Sequence, residues 1–217
     1  MADQLVSDPR ASGARGTNQG IGFPRVYDLL IWLLTRGRER SYRERVLDLA
    51  RIRPSDRVLD VGCGTGTQAI AAWRRSQPGG SVVGVDISQR MLAAARRKAG
   101  WAGVDIALGP ADAAVLPFDE DRFDVVTVTT VLHMLPEGRR PLCLGEASRV
   151  LRPGGRLLVI DYAGDPERRR HLSARHGRHR DFDLHRLHPL LPGLGLGEID
   201  HGPLDWLSLH YLRGTKR

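Results

Sequence analysis

VLDVGCGTGT, residues 58–67, decides the fold of this 217-residue chain. Its aliphatic start predicts a buried strand that ends at Val61, and a helix is predicted from Thr67 onward. The glycines between them permit positive φ angles and let the backbone approach a ligand without a Cβ in the way. The N-terminus of the helix adds unpaired N–H groups and a positive dipole end. The stretch therefore predicts a strand, a ligand-binding glycine loop and a helix in succession.

The spacing of the loop and the acid before it narrow the choice of ligand. Gly62, Gly64 and Gly66 follow G-x-G-x-G, whereas dinucleotide-binding loops follow G-x-G-x-x-G. Asp60 lies just before the loop, where it would repel a pyrophosphate and attract an ammonium group. S-adenosylmethionine (SAM) carries an α-amino group and a sulfonium, both cationic, and no phosphate. The electrostatics therefore favour SAM over a dinucleotide.

Two further acids follow later strands. Asp86 ends the next strand, 20 residues after Gly66, and an acid there can accept hydrogen bonds from both ribose hydroxyls. Its alternative role is to cap the following helix. Asp112, after the third strand, is a candidate acceptor for the adenine amino group, or else a simple cap. Ile87 and Met91 are candidates to clamp the adenine faces, although an apolar pair at this spacing is usually core.

Short aliphatic runs alternate with helix-length segments from residue 57 onward. The predicted strands are VLDVG (58–62), SVVGVD (81–86), VDIALG (104–109), FDVVTVTT (123–130) and GRLLVID (155–161). The predicted helices span 24–34, 39–52, 67–77, 89–100, 138–151 and 183–191. Two final segments, GLGEIDHG (195–202) and WLSLHYLRG (206–214), predict an antiparallel strand pair at the sheet edge. The pattern is typical of the α/β class, with a mostly parallel sheet covered by helices on both faces.

Composition and charge restrict the remaining choices. The apolar fraction of 41% supports a buried core, and no apolar run approaches the roughly 20 residues that a membrane-spanning helix needs. A polar N-terminus without an apolar signal core predicts a cytoplasmic protein. The net charge of +8 comes almost entirely from arginine, and a solvated basic face is favoured over nucleic-acid binding. The histidines between 171 and 188 lack a metal-ligand spacing and are interleaved with arginines, so no metal site is predicted.

The ordered motifs resemble those of class I SAM-dependent methyltransferases. They are Asp60–Gly66, Val85–Ser88, Asp112 to Phe118, Phe123–Val126 and Glu146 to Gly155, and the matching stretch is roughly residues 56–162. The subgroup that the chain resembles contains the ubiquinone/menaquinone C-methyltransferases and many natural-product and lipid methyltransferases. The resemblance implies a Rossmann-like seven-stranded sheet whose last strand is antiparallel. It also implies SAM as cofactor, S-adenosyl-L-homocysteine (SAH) as product and a small-molecule acceptor.

The resemblance also assigns roles in the site to individual residues, by their positions in the motifs. Asp60 and the backbone of the loop, Gly62, Cys63, Gly64 and Gly66 included, would face the methionine half of SAM. Asp86 would hold the ribose, and Ala111, Asp112 and Ala113 the adenine. Thr129, at the end of the fourth strand, would lie below the sulfonium. Tyr27 resembles the aromatic residue that often closes over the cofactor, with ordinary helix packing as its alternative.

The polar start and the resemblance together predict an organisation of the chain. Residues 1–22 are expected to be a flexible lead-in, residues 23–55 to hold helices that cap the site, and residues 56–217 to form the SAM-binding domain. A substrate-side insertion is expected at 161–188. The chain is expected to be a monomer or a homodimer.

The acceptor and the base are the open questions. His133 follows the fourth strand and is the candidate catalytic base, because imidazole titrates near neutrality. Asp161 and Tyr162 are expected to reach the acceptor pocket as well. Segment 27–37 keeps Tyr27 and Asp28 but lacks the polar residues of the quinone methylases, which argues against a quinone. The alternatives are a lipid head-group methyltransferase at a membrane surface and a SAM-binding subunit without transfer activity.

Overall fold

A computed structural model describes residues 39–163, 182–204 and 208–217. Seven strands form one sheet in the order β3-β2-β1-β4-β5-β7-β6. Their bounds are β1 Arg57–Val61, β2 Ser81–Asp86, β3 Ala107–Pro110, β4 Phe123–Thr129, β5 Leu151–Tyr162, β6 Leu196–Pro203 and β7 Leu209–Lys216. β1 to β5 pair in parallel, and β7 runs antiparallel to both β5 and β6. The predicted α/β class, the strand number and the antiparallel last strand are confirmed.

Four α-helices are described: α1 Glu39–Leu49, α2 Thr67–Ser76, α3 Gln89–Ala102 and α4 Arg140–Arg149. α2 begins directly after Gly66, whose φ of 78° places it in the left-handed region. The Ser88 hydroxyl caps α3 by accepting the Met91 N–H, and Gly103 ends that helix with a φ of 62°. Since Ser88 is the cap, the alternative role of Asp86 as the cap of this helix is wrong.

The helices cover both faces of the sheet, and the core is divided accordingly. On one face Val126 and Val128 of β4 pack with Leu144 of α4. On the other, Val125 packs with Val46 of α1 and with residues of α2. Consecutive residues of a strand point to opposite faces, so a strand buried on both sides reads as a continuous apolar run. This is why the central strands were recognisable from their sequence.

Some predicted boundaries are wrong for local reasons. Residues 184–190 form a 3-10 helix rather than an α-helix, with Pro189 inside it, because proline lacks the N–H that an α-helical turn requires. The helix predicted at 138–151 begins at Arg140, after a 3-10 turn over Glu137–Arg139. β5 begins at Leu151, four residues before its predicted start.

Several predictions lie outside the described residues. They concern the helix at 24–34, Tyr27, segment 27–37 and most of the insertion at 161–188. Within the described ranges no helix has the length and hydropathy that crossing a bilayer requires. The predicted division at residues 22 and 55 stays a prediction.

Candidate functional site

The strand order locates the site at one point on the sheet edge. From β1 the chain moves outward to β2 and β3, then returns to the other side of β1 as β4. In open parallel sheets ligands bind at such a reversal, beyond the carboxyl ends of the strands. The loop after β1 carries the three glycines, and the segment after β4 carries His133. The fold therefore brings the predicted cofactor loop and the predicted base to adjacent strand ends.

The glycine loop adopts the conformation that its sequence predicts. Gly62, Gly64 and Gly66 have φ values of 72°, 54° and 78°, where side chains are disfavoured. A Cβ on Gly62 would lie 2.2 Å from a methyl carbon of Val131, and one on Gly66 would lie 2.9 Å from the Ala95 Cβ. A Cβ on Gly64 would meet no protein atom within 4 Å. Two glycines thus allow close packing, while Gly64 faces open space where a ligand fits.

The loop amides are directed into the protein. The N–H groups of Gly62 and Cys63 donate to the Val85 carbonyl at 2.8 and 2.9 Å, and that of Gly66 donates to the Cys63 carbonyl. The Gly64 N–H donates to Asp86 Oδ2 at 2.9 Å. A loop that cradles phosphate needs such amides pointing at the ligand. Their internal use disfavours a pyrophosphate and agrees with the prediction of a cationic ligand.

Asp60 is a buried carboxylate with one oxygen unpaired. Its side chain is 2% exposed, and Oδ1 accepts a hydrogen bond from the Thr127 hydroxyl at 2.7 Å. Oδ2 is buried without a hydrogen-bond partner among the described residues. Desolvation raises the pKa of Asp60 to about 6, against the lowering effects of Thr127 and Arg43. An unpaired buried carboxylate oxygen is costly, and an ammonium group of a ligand would satisfy it.

Asp86 joins the ends of β1 and β2. Oδ1 accepts the Ser88 N–H at 2.8 Å, and Oδ2 accepts the Gly64 N–H. Burial raises the pKa of Asp86, and these two backbone hydrogen bonds lower it. Each carboxylate oxygen has two lone pairs and can accept a second bond. The arrangement leaves Asp86 able to receive the ribose hydroxyls while it holds the loop, and that role stays a prediction.

The predicted adenine side contains a partner that the sequence did not indicate. Asp112 Oδ1 accepts the Ala114 N–H at 3.0 Å, and Oδ2 forms an ion pair with the Arg139 guanidinium at 2.7 Å. An adenine amino group would therefore share this carboxylate with Arg139. Ala111 is buried and Ala113 half-buried beside it.

The two apolar candidates beside adenine differ in exposure. Ile87 is 53% exposed directly after β2, as expected of a residue that covers a ligand face. Met91 is buried in the first turns of α3, which is the environment of its alternative role in packing.

Thr129 and Cys63 lie at the carboxyl ends of the two central strands. The Thr129 hydroxyl oxygen is buried without a hydrogen-bond partner among the described residues. Like Asp60 Oδ2, it is a polar atom that a ligand at the strand ends would satisfy.

Cys63 is buried, and desolvation raises the pKa of its thiol well above the ordinary value. The thiol is therefore unsuited to nucleophilic chemistry, because the thiolate is the reactive form.

His133 and Asp161 form a dyad that links the segment after β4 to the end of β5. His133 Nδ1 lies 2.7 Å from Asp161 Oδ1, and the His133 backbone N–H donates to Oδ2 at 3.2 Å. The Asp161 side chain is 0% exposed and that of His133 is 10% exposed. Tyr162 packs edge-on against the imidazole, with ring centroids 4.9 Å apart. The expectation that Asp161 itself reaches the acceptor is wrong, because it is wholly buried beneath His133.

Lys98 is a second residue that the sequence did not indicate. Its Nζ, on α3, donates to the hydroxyls of Thr65 at 2.9 Å and Thr67 at 2.7 Å. It thereby ties α3 to the glycine loop and to the first residue of α2. The signal in the sequence is faint: a single lysine in an arginine-rich helix, opposite two threonines of the loop.

A second group of histidines lies on the 3-10 helix at 184–190 and on β6 and β7. His185 Nε2 lies 3.1 Å from His210 Nδ1, and the rings of His188 and His201 pack edge-on. No group of three or more His, Cys, Asp or Glu within the described ranges is arranged to hold a metal ion. His171, His176 and His179 lie outside those ranges.

The chain resembles known proteins most clearly around the glycine loop and the strands that follow it. Residues 58–155 match the family described as "Methyltransferase domain". The chain is 41% identical over 141 residues to the demethylmenaquinone methyltransferase of Thermus thermophilus, covering 65% of this chain and 63% of that protein. It is 35% identical over 140 residues to the ubiquinone/menaquinone biosynthesis C-methyltransferase UbiE of Teredinibacter turnerae, covering 63% and 55%. The chain thus spans less than two thirds of either relative.

Solved structures share the fold at lower identity. The YcgJ protein of Bacillus subtilis aligns with a TM-score of 0.68 at 23% identity, covering 82% of this chain and 99% of that one. The similarity extends beyond the glycine loop to most of the sheet.

Proposed function

We propose that the chain carries a class I SAM-dependent methyltransferase domain and that it transfers the SAM methyl group to a small-molecule acceptor. The observation that carries this proposal is the buried, unpaired Oδ2 of Asp60 next to a loop in which the N–H groups of four residues, Gly62, Cys63, Gly64 and Gly66, already have acceptors. Such a site suits a cationic amino-acid group and disfavours a phosphate. SAM, when bound, supplies a methyl group on a sulfonium whose departure leaves a neutral thioether.

The residues of the chain would contribute to catalysis mainly by positioning the reactants. Asp60 would receive the amino group, Asp86 the ribose hydroxyls, and the Asp112 region the adenine. Thr129, the loop glycines and Tyr27 are the further cofactor contacts that we propose. Because a methyl sulfonium is already activated, alignment and exclusion of water supply most of the acceleration, and well-oriented reactants can gain several kcal/mol in this way.

The His133–Asp161 dyad would accept a proton from the acceptor. A carboxylate only accepts hydrogen bonds, so the network assigns the imidazole proton to Nδ1 and leaves Nε2 as the basic atom. The buried Asp161 fixes the ring and stabilises the imidazolium that forms, as an orienting carboxylate does in other acid–base pairs. The proton of a hydroxyl or an acidic C–H on the acceptor would move to Nε2 as the new bond to the methyl carbon forms.

A quinol-type ring is the first acceptor to test. One relative is named a demethylmenaquinone methyltransferase and the other a ubiquinone/menaquinone biosynthesis C-methyltransferase. Methylation of a quinol ring requires loss of a proton, which the dyad would take. The sequence of segment 27–37 argues against this acceptor. The two indications conflict, and a substrate assay decides between them.

Purified protein with SAM and a panel of acceptors provides the test. The panel contains demethylmenaquinol, a simple phenol, an amine and vesicles of phosphatidylethanolamine, and the readout is SAH formation together with the mass of the product. Methylation of a soluble small molecule supports the proposal. Methylation of the vesicle lipid alone supports the lipid head-group alternative. SAH binding without any transfer supports the subunit alternative, and absence of SAH binding would contradict the cofactor assignment.

The role of the dyad is tested separately. His133→Ala is expected to lower kcat by roughly 10² to 10⁴, the usual contribution of a general base, while SAH affinity changes little. Asp161→Asn should lower kcat as well and move the pH profile, because the amide no longer selects the Nδ1–H tautomer. His188→Ala, which removes an imidazole that packs against His201 instead of the dyad, is the matched control. An unchanged kcat in His133→Ala refutes the base assignment and leaves the cofactor proposal intact.

A further inference from the structure

A second concave site lies between α1, α2 and α3, and it adjoins the glycine loop at Thr67 and Lys98. It is a cavity of about 810 Å³, within the range of 300–1,000 Å³ typical of small-molecule sites. Neither the three acids nor the His133–Asp161 dyad lines it. None of the roles proposed above accounts for a cavity of this size.

The walls of this cavity, called here the helix groove, are cationic. The five cations that line it are Arg40, Arg43, Arg74, Arg75 and Lys98. They come from three different helices, so the positive charge converges on one volume instead of being spread along one exposed face.

The two acidic side chains near the groove both form ion pairs with the same arginine, Arg75. Arg75 pairs with Glu44 at 2.6 Å and with Asp48 at 2.9 Å. Glu44 is the single carboxylate among the described lining residues. Arg40 and Arg74 are exposed to solvent, on α1 and α2. The groove therefore carries an excess of positive charge after its carboxylate is neutralised.

The remaining lining of the groove is apolar. Leu47 and Ile70 are buried in the core beneath it, and Ala71 and Ala102 complete the apolar lining. An apolar lining beside guanidinium groups suits a molecule with a hydrocarbon part and a phosphate, because the arginine fork matches phosphate oxygens. A flat polyanion such as a nucleic-acid backbone would leave the apolar surface uncovered.

We propose that the helix groove binds a phosphorylated small amphiphile, separately from the cofactor site. The phosphate lies between Arg40 and Arg74, and the hydrocarbon part covers the half-buried Ala71 and Ala102. The inference does not depend on methyl transfer, so either can fail without the other.

Isothermal titration calorimetry with monooctyl phosphate below its micelle concentration tests the proposal. Inorganic phosphate presents the head alone, octyl glucoside presents the tail with a neutral head, and vesicles containing phosphatidic acid present the head on a membrane. Arg40→Gln/Arg74→Gln removes two cations of the groove. Arg45→Gln/Arg97→Gln is the matched control, because it removes two exposed arginines from α1 and α3 outside the groove.

The expected result is saturable binding of monooctyl phosphate, weaker binding of both partial probes, and an affinity about tenfold or more lower in the groove variant. That factor is roughly one charge-assisted hydrogen bond, and the control variant should bind as the parent does. Equal weakening in both variants would reveal general charge attraction and overturn the proposal. Absence of monooctyl phosphate binding, or binding to vesicles alone, would also overturn the proposal. A single-stranded oligonucleotide serves as a further probe. If it binds more tightly than monooctyl phosphate and the groove substitutions abolish that binding, the proposal is likewise overturned.

Discussion

Replacing Asp60 by Asn should raise the stability of the ligand-free protein, relative to that of wild type, as the pH increases to neutrality. The same substitution should weaken cofactor binding. Asp60 is 2% exposed, and burial raises its pKa to about 6. The folded state therefore holds the proton of Asp60 more tightly than the unfolded state, whose pKa is about 4. This contribution to stability is fully present below pH 4 and is lost as the pH rises through 6.

The size of the effect follows from the two pKa values. Each tenfold change in a protonation constant corresponds to about 1.36 kcal/mol, so the whole difference is roughly 3 kcal/mol. About 2 kcal/mol of it falls between pH 4.5 and pH 7.5. Asn cannot titrate, so the variant lacks the part of the pH dependence that Asp60 contributes. The stability of Asp60→Asn relative to wild type should therefore rise by about that amount between these pH values.

Urea denaturation of both proteins at a series of pH values provides the measurement. Any fixed cost of burying the amide appears at every pH and cancels from the comparison. SAH affinity, measured at pH 7.5, should fall by roughly one to two powers of ten, the contribution of a hydrogen bond between charged groups. A stability difference that does not change with pH would refute the account of Asp60, and unchanged SAH affinity would refute its role as the partner of the amino group.

Three further predictions concern the loop and its supports. Gly62→Ala should lower stability in thermal denaturation by at least about 1 kcal/mol more than Gly64→Ala does. Both residues have positive φ, but only the Cβ at 62 would overlap a Val131 methyl, at 2.2 Å. Equal losses of stability would contradict this packing. Lys98→Met should weaken SAH binding a few-fold and speed amide exchange at the start of α2. The reason is that it removes the hydrogen bonds from Nζ to the hydroxyls of Thr65 and Thr67. Unchanged amide exchange would contradict this role of Lys98. Arg139→Gln should change stability by less than about 1 kcal/mol and raise SAH affinity slightly by releasing the adenine-side carboxylate, whereas weaker SAH binding would indicate that Arg139 itself holds the cofactor.

Much of the fold was predictable because its determinants are local. Glycine adopts positive φ at no steric cost, and Gly62, Gly64 and Gly66 do so. Aliphatic runs such as SVVGVD form buried strands because both of their faces are apolar. Ser88 caps α3 through a residue three positions away. The error at residues 184–190 was also local in origin, since Pro189 alters the backbone of its own turn.

The chemistry of the candidate site depended on pairings between distant residues. His133 was identifiable as a histidine after the fourth strand, but its partner lies 28 residues away on β5 and meets it because β4 and β5 are neighbours. Burial leaves Asp60 with an unpaired oxygen and a raised pKa, and burial is a property of the packed core. The Asp112–Arg139 ion pair and the cationic groove arise in the same way. By itself, then, the sequence determined the glycine loop, the order of the acids and the fold class, because backbone sterics and apolar periodicity act over a few residues. Only the tertiary structure decided which side chains share a site, because contact and desolvation depend on elements that are far apart in the chain.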